Sequence, residues 1–556
     1  MQKNWLNNYP EGVSAEINPD KYQSIKELFI ECTERYADRP MFTCMGTSLT
    51  YREVEQLSKQ FASFLQNEAG LKKGDRIALQ MPNILQYPIC LFGALRAGLI
   101  VVNTNPLYTQ REMHHQFEDS GAEAIVILAN FAHNLDPILS RTKIKTVVVT
   151  EFGDLLGFPK SFLVNKALKY VKRMVPNYKL DNSYSLLETF EIGKTKNFQE
   201  INLKHEDLAF LQYTGGTTGV AKGAMLTHKN IISNMLQVYE WIKPRLHSKG
   251  EIICTPLPLY HIFSLTVNCL SMLTIGAQNL LVPNPRDIPG FIKLLQQNRI
   301  SILTGLNTLF NSLMNHPDFR EIDFSELKVT VAGGMAMQTS VCKRWEELTG
   351  VEIAEGYGLT ETSPVASVNR IDGHAIYGTI GVPVPSTEMQ VTDAQGQEVP
   401  LGEPGELWIR GPQVMRGYWQ RPEATDEVLT ADGWFKSGDV ACQDESGYFK
   451  IVDRQKDMIL VSGFNVYPNE IEEVVAGHKK VLEVAAVGIP DERSGEVVKV
   501  FVVKKDDSLT EKDLLDHCRE NLAGYKVPKK IEFRQELPKT NVGKILRREL
   551  REAESK

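Results

Sequence analysis

Residues 213–224 read Tyr-Thr-Gly-Gly-Thr-Thr-Gly-Val-Ala-Lys-Gly-Ala, and what that stretch does governs what the rest of the chain has to build. Its four glycines let the backbone close round an anion, its three threonines add hydroxyl donors, and Lys222 adds a point positive charge. These are the parts of a phosphate cradle. A P-loop needs Ser or Thr directly after its lysine, and here Gly223 follows Lys222. A dinucleotide fingerprint fails as well, because Gly215, Gly216 and Gly219 do not fit G-x-G-x-x-G and no acid stands at the required offset. In isolation the stretch also reads as a plain Gly/Thr turn, so other segments decide.

A chain of 556 residues exceeds what one hydrophobic core usually supports, so a large domain and at least one smaller one are expected. The net charge of −7 gives no global attraction to nucleic acid, and any anion site is therefore local. The eight cysteines are scattered, with no C-x-x-C pair and no spacing with histidine that would hold a metal, which is reduced, intracellular usage. The N-terminus lacks the apolar core of a signal peptide, so a cytoplasmic location is expected. Residues 252–285 carry no formal charge, but Pro256, Pro258, His261, Asn268, Gly276 and Gln278 interrupt them. The reading is a buried strand, loop and helix rather than a membrane span.

From about residue 20 to 200, amphipathic helices alternate with short apolar strands, the pattern of a layered α/β fold. Thr50 and Glu53 form a capping box; residues 76–81, 124–128 and 145–150 read as strands, and 86–97 as a helix. Residues 160–179 carry Lys160, Lys166, Lys169, Lys172, Arg173 and Lys179 without an acid, while Leu163, Val164, Ala167, Leu168, Val171, Met174 and Val175 recur at helical spacing. Such a helix can lie on an anionic leaflet, here the cytoplasmic face of the inner membrane, or pack on the protein with a solvated basic rim. Beyond residue 452 the composition changes to a small α+β unit. The expected division is 1–452 and 453–556, with 484–489 and 497–503 as strands around a Pro490-Asp491 turn.

Further segments supply chemistry-bearing residues, each with a plainer alternative. His261 sits among apolar residues, as a satisfied core histidine would. Gly333 and Gly334 close a strand where a flat ligand can approach backbone, or simply turn. Gly356, Tyr357, Thr360 and Glu361 offer a ring to stack, a hydroxyl, and a carboxylate for a hard cation, or a turn with a helix cap. Asp439 and Arg454 suit ribose hydroxyls, or a surface ion pair. Lys544 lies on a glycine-containing loop, where a lone lysine is usually just solvated.

Taken in order, residues 213–224, Tyr260-His261, 356–361, 433–439, Asp453-Arg454 and 538–544 resemble the motif series of the adenylate-forming superfamily of acyl-CoA synthetases. Residues 432–441 through 450–456 resemble the fatty acyl-CoA synthetase signature, and 163–180 with 257–265 look like the bacterial long-chain branch. The resemblance implies that a fatty carboxylate attacks the α-phosphate of ATP to give acyl-AMP and pyrophosphate, and that the thiol of CoA then displaces AMP. It implies ATP and CoA as substrates and Mg²⁺ held by Glu361, with Thr217. By the same likeness, Tyr213, Thr214, Gly215, Gly216, Thr217, Thr218, Gly219 and Thr360 surround the phosphates and Lys222 lies by the pyrophosphate. Tyr357 stacks on adenine beside Gly333, Gly334 and Gly356, while Asp439 and Arg454 hold the ribose. Lys544 is the catalytic lysine, and His261 adjoins the acyl carboxylate at the mouth of a tunnel lined partly by residues 265–281. The small domain is expected to rotate about Lys456, bringing Ser462, Gly463 and Phe464 to the pantetheine path.

The sequence departs from the pattern in two places: Gln455 replaces a common lysine, and no tryptophan follows Tyr260-His261 as a tunnel gate. A ligase for medium-chain or aryl acids, and an acyl-AMP ligase serving a carrier protein, stand as alternatives within the superfamily. A phosphotransferase and a lipid-binding protein without activity stand outside it. A second copy of the chain, as a homodimer, is among the admitted partners.

Overall fold

The structure is a computed structural model that describes residues 3–214, 221–246, 250–491, 493–540 and 543–554. The apolar runs seen in the sequence assemble into two large sheets. One runs, in spatial order, Tyr184–Ser185, Thr146–Thr150, Ala124–Leu128, Arg76–Gln80, Ile100–Asn103, Leu208–Thr214 and Lys222–Thr227. Its pairings are parallel except the last, where the two arms of the glycine-rich stretch run antiparallel with Thr214 opposite Lys222.

The other sheet runs Val382–Pro383, Val365–Val368, Ile353–Gly358, Val329–Gly333, Ile302–Gly305, Ile252–Thr255, Gln278–Leu281, Pro40–Cys44 and Thr47–Thr50. Its central pairings are parallel and its outer ones antiparallel. Strands buried on both faces need no polar alternation, which is why these runs are so uniformly apolar. The helix Gln86–Arg96 is buried on every side, and its Phe92 ring stacks on Phe29 at 4.0 Å. Thr50 and Glu53 form the capping box that their spacing predicts, opening the helix Tyr51–Asn67.

An antiparallel sheet follows, made of Glu388–Thr392, Gly405–Arg410, Phe435–Gln443 and Phe449–Arg454. From Ile459 onward the chain builds its own five-stranded sheet and its own apolar clusters, the small α+β C-terminal domain that the composition foretold. Here the strand Val481–Asp491 runs through Pro490, and the chain reverses between Asp491 and Gly495 rather than at Pro490-Asp491. Pro490 sits on the pairing register opposite Glu496 without breaking the ladder.

One further expectation is corrected. Residues 160–179 do not form one helix: Lys160–Lys166 is α-helical, Ala167–Val171 is a π turn, and the rest is irregular, with Arg173 at φ +51° and Pro176 blocking propagation. Several of its apolar side chains face outward, Leu163, Val171 and Met174 being 61%, 80% and 51% exposed, while Val164 and Val175 pack against the core. Residues 252–285 supply a strand, a π-helical turn and a second strand, and among the described residues no helix is long and apolar enough to cross a membrane.

Candidate active site

The parallel strands of both sheets aim their carboxyl ends at one cavity of about 1790 Å³. Open α/β sheets collect ligands at such ends. Thr214, His261, Gly333, Gly334, Gly356, Tyr357, Thr360, Glu361, Asp439, Arg454, Lys456 and Lys544 all line it, as do Tyr213 and Lys222. Gly215, Gly216, Thr217, Thr218 and Gly219 lie outside the described residues.

One wall is built round a single buried carboxylate. The Tyr357 hydroxyl donates to Asp439 Oδ2 at 2.6 Å, and Arg454 Nε approaches Asp439 Oδ1 at 3.2 Å. Asp439 faces Arg454 across an antiparallel pair, so the sheet register itself brings the two charges together. Burial, and then Asp439, push the Tyr357 phenol up, which keeps it a hydrogen-bond donor. A Cβ on Gly333 would fall 3.1 Å from both the Gly356 carbonyl and the Phe263 ring, so glycine keeps a flat slot open beside Tyr357.

On the opposite side, the arms of the glycine-rich stretch hold Tyr213 and Lys222. The Tyr213 hydroxyl donates to Asp119 Oδ2 at 2.7 Å, and Arg421 meets the other oxygen of Asp119 at 2.7 Å. The Lys222 ammonium stands 4.9 Å from the centroid of the Tyr418 ring. Tyr418 also donates its hydroxyl to Glu361 Oε1 at 2.7 Å, while Met415 N–H donates to the Glu361 carbonyl. Burial raises the Glu361 carboxyl, and the Tyr418 hydrogen bond and Arg454 oppose that rise. Among the described residues no three His, Cys, Asp or Glu side chains converge as a metal site. A hard cation at Glu361 would therefore complete its shell from phosphate oxygens and water, as magnesium commonly does.

Lys544 reaches the cavity from the C-terminal domain. Lys539 and Ile545 pair as a β-bridge, and Thr540 accepts from and donates to the backbone of Lys544, which makes a tight loop. Thr308 Oγ1 donates to the Gly543 carbonyl at 3.2 Å, Asn311 to the Leu482 carbonyl at 3.0 Å, and Thr339 N–H to Glu473 at 3.1 Å. These bonds dock the small domain on the large one. Burial, and then the neighbouring Arg454, lower the Lys544 ammonium from 10.5 to about 8, with Asp439 acting against them.

His261 is neutral for related reasons: burial first, then the charge of Lys544, lower it from 6.5 to about 4. Phe263 N–H donates to its Nδ1 at 3.4 Å, so the ring carries its proton on Nε2. Lys456 occupies the short turn Gln455–Asp457, and burial followed by Arg454 lowers it too. Ser462, Gly463 and Phe464 are not brought to the cavity. They form the bend of the hairpin Ile459–Val461 and Phe464–Val466, with Phe464 stacked on Tyr525 at 4.8 Å.

The cavity continues into an apolar arm. Val329, Val331 and Gly333 share one face of a strand, and Ile302, Val238 and Ile242 face them. Residues 265–281 contribute only Val267 and Met272 to it, fewer than expected; Leu265, Cys269 and Leu270 are spent on the core. Sequence reasoning also missed Asp119, Tyr418 and Glu355. Glu355 lines the cavity beside Tyr357, and burial raises its carboxyl from 4.5 to about 8. Only the Gly-Tyr-Trp run at 417–419 could have drawn attention to Tyr418.

Residues 29–419 match the AMP-binding enzyme family, and residues 470–544 match the AMP-binding enzyme C-terminal domain. The chain is 56% identical over 552 residues to a long-chain-fatty-acid–CoA ligase of Escherichia coli O6:H1, covering 99% of this chain and 98% of that protein. Among solved structures, ATP-bound MatB from Rhodopseudomonas palustris aligns with a TM-score of 0.82 at 27% identity, over 95% of this chain and 99% of that one. The apo form of MatB aligns over the same shares with a TM-score of 0.73 at 28% identity. On this family match and full-length identity, the chain belongs to the AMP-binding enzyme family, alongside its long-chain-fatty-acid–CoA ligases.

Proposed function

We propose that the protein activates long-chain fatty acids with ATP and passes them to CoA, releasing AMP and pyrophosphate. The observation that carries this reading is the meeting of three features in one cavity. A lysine from a separate domain, Lys544, faces the Tyr357–Asp439–Arg454 wall, and an apolar arm opens from the same space. In the first step a carboxylate oxygen of the fatty acid forms a bond to the α-phosphorus and the bond to pyrophosphate breaks. Two anions must meet, and Lys544 supplies the cation between them. His261, with its proton on Nε2, donates toward the carboxylate and fixes its direction. Tyr357, Gly333 and Gly334 take the adenine, Asp439 and Arg454 the ribose, and Lys222 with Thr214 and Thr360 the phosphates. Glu361 would hold Mg²⁺, which when bound would supply positive charge to the phosphates. The arm accounts for acyl selectivity, since each buried methylene adds about 0.8 kcal/mol.

In the second step the CoA thiolate attacks the acyl carbonyl and AMP leaves. Lys544 lines the cavity, whereas Ser462, Gly463 and Phe464, the residues assigned to the pantetheine path, do not. The reading is that the domain of residues 453–556 turns about Lys456 between the steps. The outward Phe162, Leu163, Tyr170 and Val171, set among Lys166, Lys169, Lys172 and Arg173, support contact with the anionic cytoplasmic leaflet. Pairing into a homodimer belongs to the same reading and is checked by light scattering.

Incubation with ATP, CoA and a fatty acid chain-length series tests the activity. AMP, pyrophosphate and acyl-CoA in equal amounts with an optimum at long chains is the expected result. ADP formation, activity on aryl acids alone, or acyl-AMP that persists with CoA present would each refute it.

A further inference from the structure

Lys222 and Glu361 carry opposite charges on one wall of the cavity, and such groups attract strongly where solvent is thin. Collapsed onto each other, the ammonium could not meet a phosphate and the carboxylate could not meet a cation. Among the described residues neither takes part in an ion pair, and the group between them is Tyr418. Its ring face carries the Lys222 ammonium at 4.9 Å, and its hydroxyl donates to Glu361 Oε1 at 2.7 Å.

The tyrosine is anchored toward both partners. Its segment runs antiparallel to the strand bearing Lys222: Ala224 pairs with Tyr418, Met225 N–H donates to the Gly417 carbonyl, and Trp419 N–H donates to the Gly223 carbonyl. Toward the other side, Met415 N–H donates to the Glu361 carbonyl. The Tyr418 N–H is itself held by Thr425 Oγ1 at 2.9 Å. The phenol is 8% exposed, and burial followed by Glu361 pushes it up, so it remains a donor throughout the working range.

Building on the proposed function, we propose that Tyr418 is a positioning residue: it holds the Lys222 cation on its face and the Glu361 carboxylate at its edge. The triphosphate and its divalent cation thereby enter a pair of opposite charges whose spacing is already set. Tyr418 touches neither reacting atom. Its hydroxyl orders the carboxylate for the metal, and its ring directs the ammonium to the phosphates.

Y418F and Y418L separate the two halves. Binding of ATP alone, and of Mn²⁺ in the presence of ATP, is measured without fatty acid by calorimetry and by the paramagnetic resonance signal of free Mn²⁺. For Y418F, Mn²⁺ affinity in the ternary complex is expected to fall about tenfold, the loss of one hydrogen bond to a charged group, while metal-free ATP binds within about twofold of the unaltered protein. Y418L is expected to weaken metal-free ATP binding as well. Unchanged Mn²⁺ affinity in Y418F overturns the proposal, as does equal loss of ATP binding with and without metal, which marks Tyr418 as merely structural. Failure of the unaltered protein to bind Mn²⁺ and ATP overturns this proposal and the functional reading together.

Discussion

Lys544 owes its chemistry to its surroundings: burial and Arg454 bring an amine of ordinary basicity down to about 8. Adenylation needs the ammonium, so kcat/KM for ATP is expected to hold below pH 8 and to fall as pH rises through it. The corresponding limb in kcat lies higher, because bound anions restore the charge. Lys544→Ala is expected to slow acyl-AMP formation about 10²- to 10³-fold while thioester formation from supplied acyl-AMP persists. Equal loss in both steps contradicts the assigned role. Glu355 offers a second titration, one that acts on stability rather than on activity. Its carboxyl is raised from 4.5 to about 8 in the folded protein, so the folded state prefers the proton and stability is lost as pH rises between those values. Glu355→Gln is expected to flatten the pH dependence of Tm between pH 5 and 8, and an unchanged slope would refute it. Glu361, Asp439, Arg454 and Lys544 could be read from short motifs, because each stands beside the residues that give it meaning. Tyr418 and Asp119 could not. Tyr418 meets Glu361 across 57 positions, and Asp119 meets Tyr213 across 94, contacts that only the folded chain creates.

At the scale of elements, strand and helix periods were plain in the sequence, and the two large sheets follow them closely. The errors lie where an apolar pattern has two uses. Most of residues 265–281 are core and only Val267 and Met272 line the cavity, while the strand Val329–Gly333 adds Val329 and Val331 to its apolar arm. Val329→Phe is expected to shorten the preferred fatty acid, each excluded methylene lowering kcat/KM about fourfold. A chain-length profile that does not move would remove Val329 from the arm. Residues 160–179 show the converse, since helical spacing left open a face laid on an anionic leaflet or packed on the protein, and the structure leaves Leu163, Val171 and Met174 exposed. Neutralising Lys166, Lys169, Lys172 and Arg173 is expected to cost about 1 kcal/mol of binding to anionic vesicles per charge, with turnover of dispersed substrate unchanged. Sedimentation with vesicles checks this, and unaltered binding would sink the membrane contact.

For the whole molecule, the two-domain design was visible as a change in composition near residue 453, but the docking of one domain on the other was not. That docking includes hydrogen bonds from Thr308, Asn311 and Thr339, and the Arg547 guanidinium, held by Glu472 at 2.6 Å within the small domain, reaches back past the turn that holds Lys456 to Asp453 at 3.0 Å. Asp453 lies on the strand Phe449–Arg454, before that turn, and Glu472 on the helix Pro468–Ala476, after it. The proposed rotation about Lys456 would break the bonds of Thr308, Asn311 and Thr339 and the Arg547–Asp453 pair, and would leave Arg547–Glu472 intact.

The most direct test of the account is to prevent that rotation. Seven of the eight native cysteines are buried and Cys442 is half-buried, so a new cysteine pair at Asn311 and Leu482, residues in contact across the interface, is tested for disulfide formation by oxidation and thiol counting before use. Single-turnover measurement on the oxidised double variant is expected to show acyl-AMP forming at close to the normal rate, no transfer to CoA, and recovery of transfer on reduction. Acyl-CoA formed at the normal rate by the locked protein would contradict the claim that Lys544 must leave the cavity before the thiol can enter.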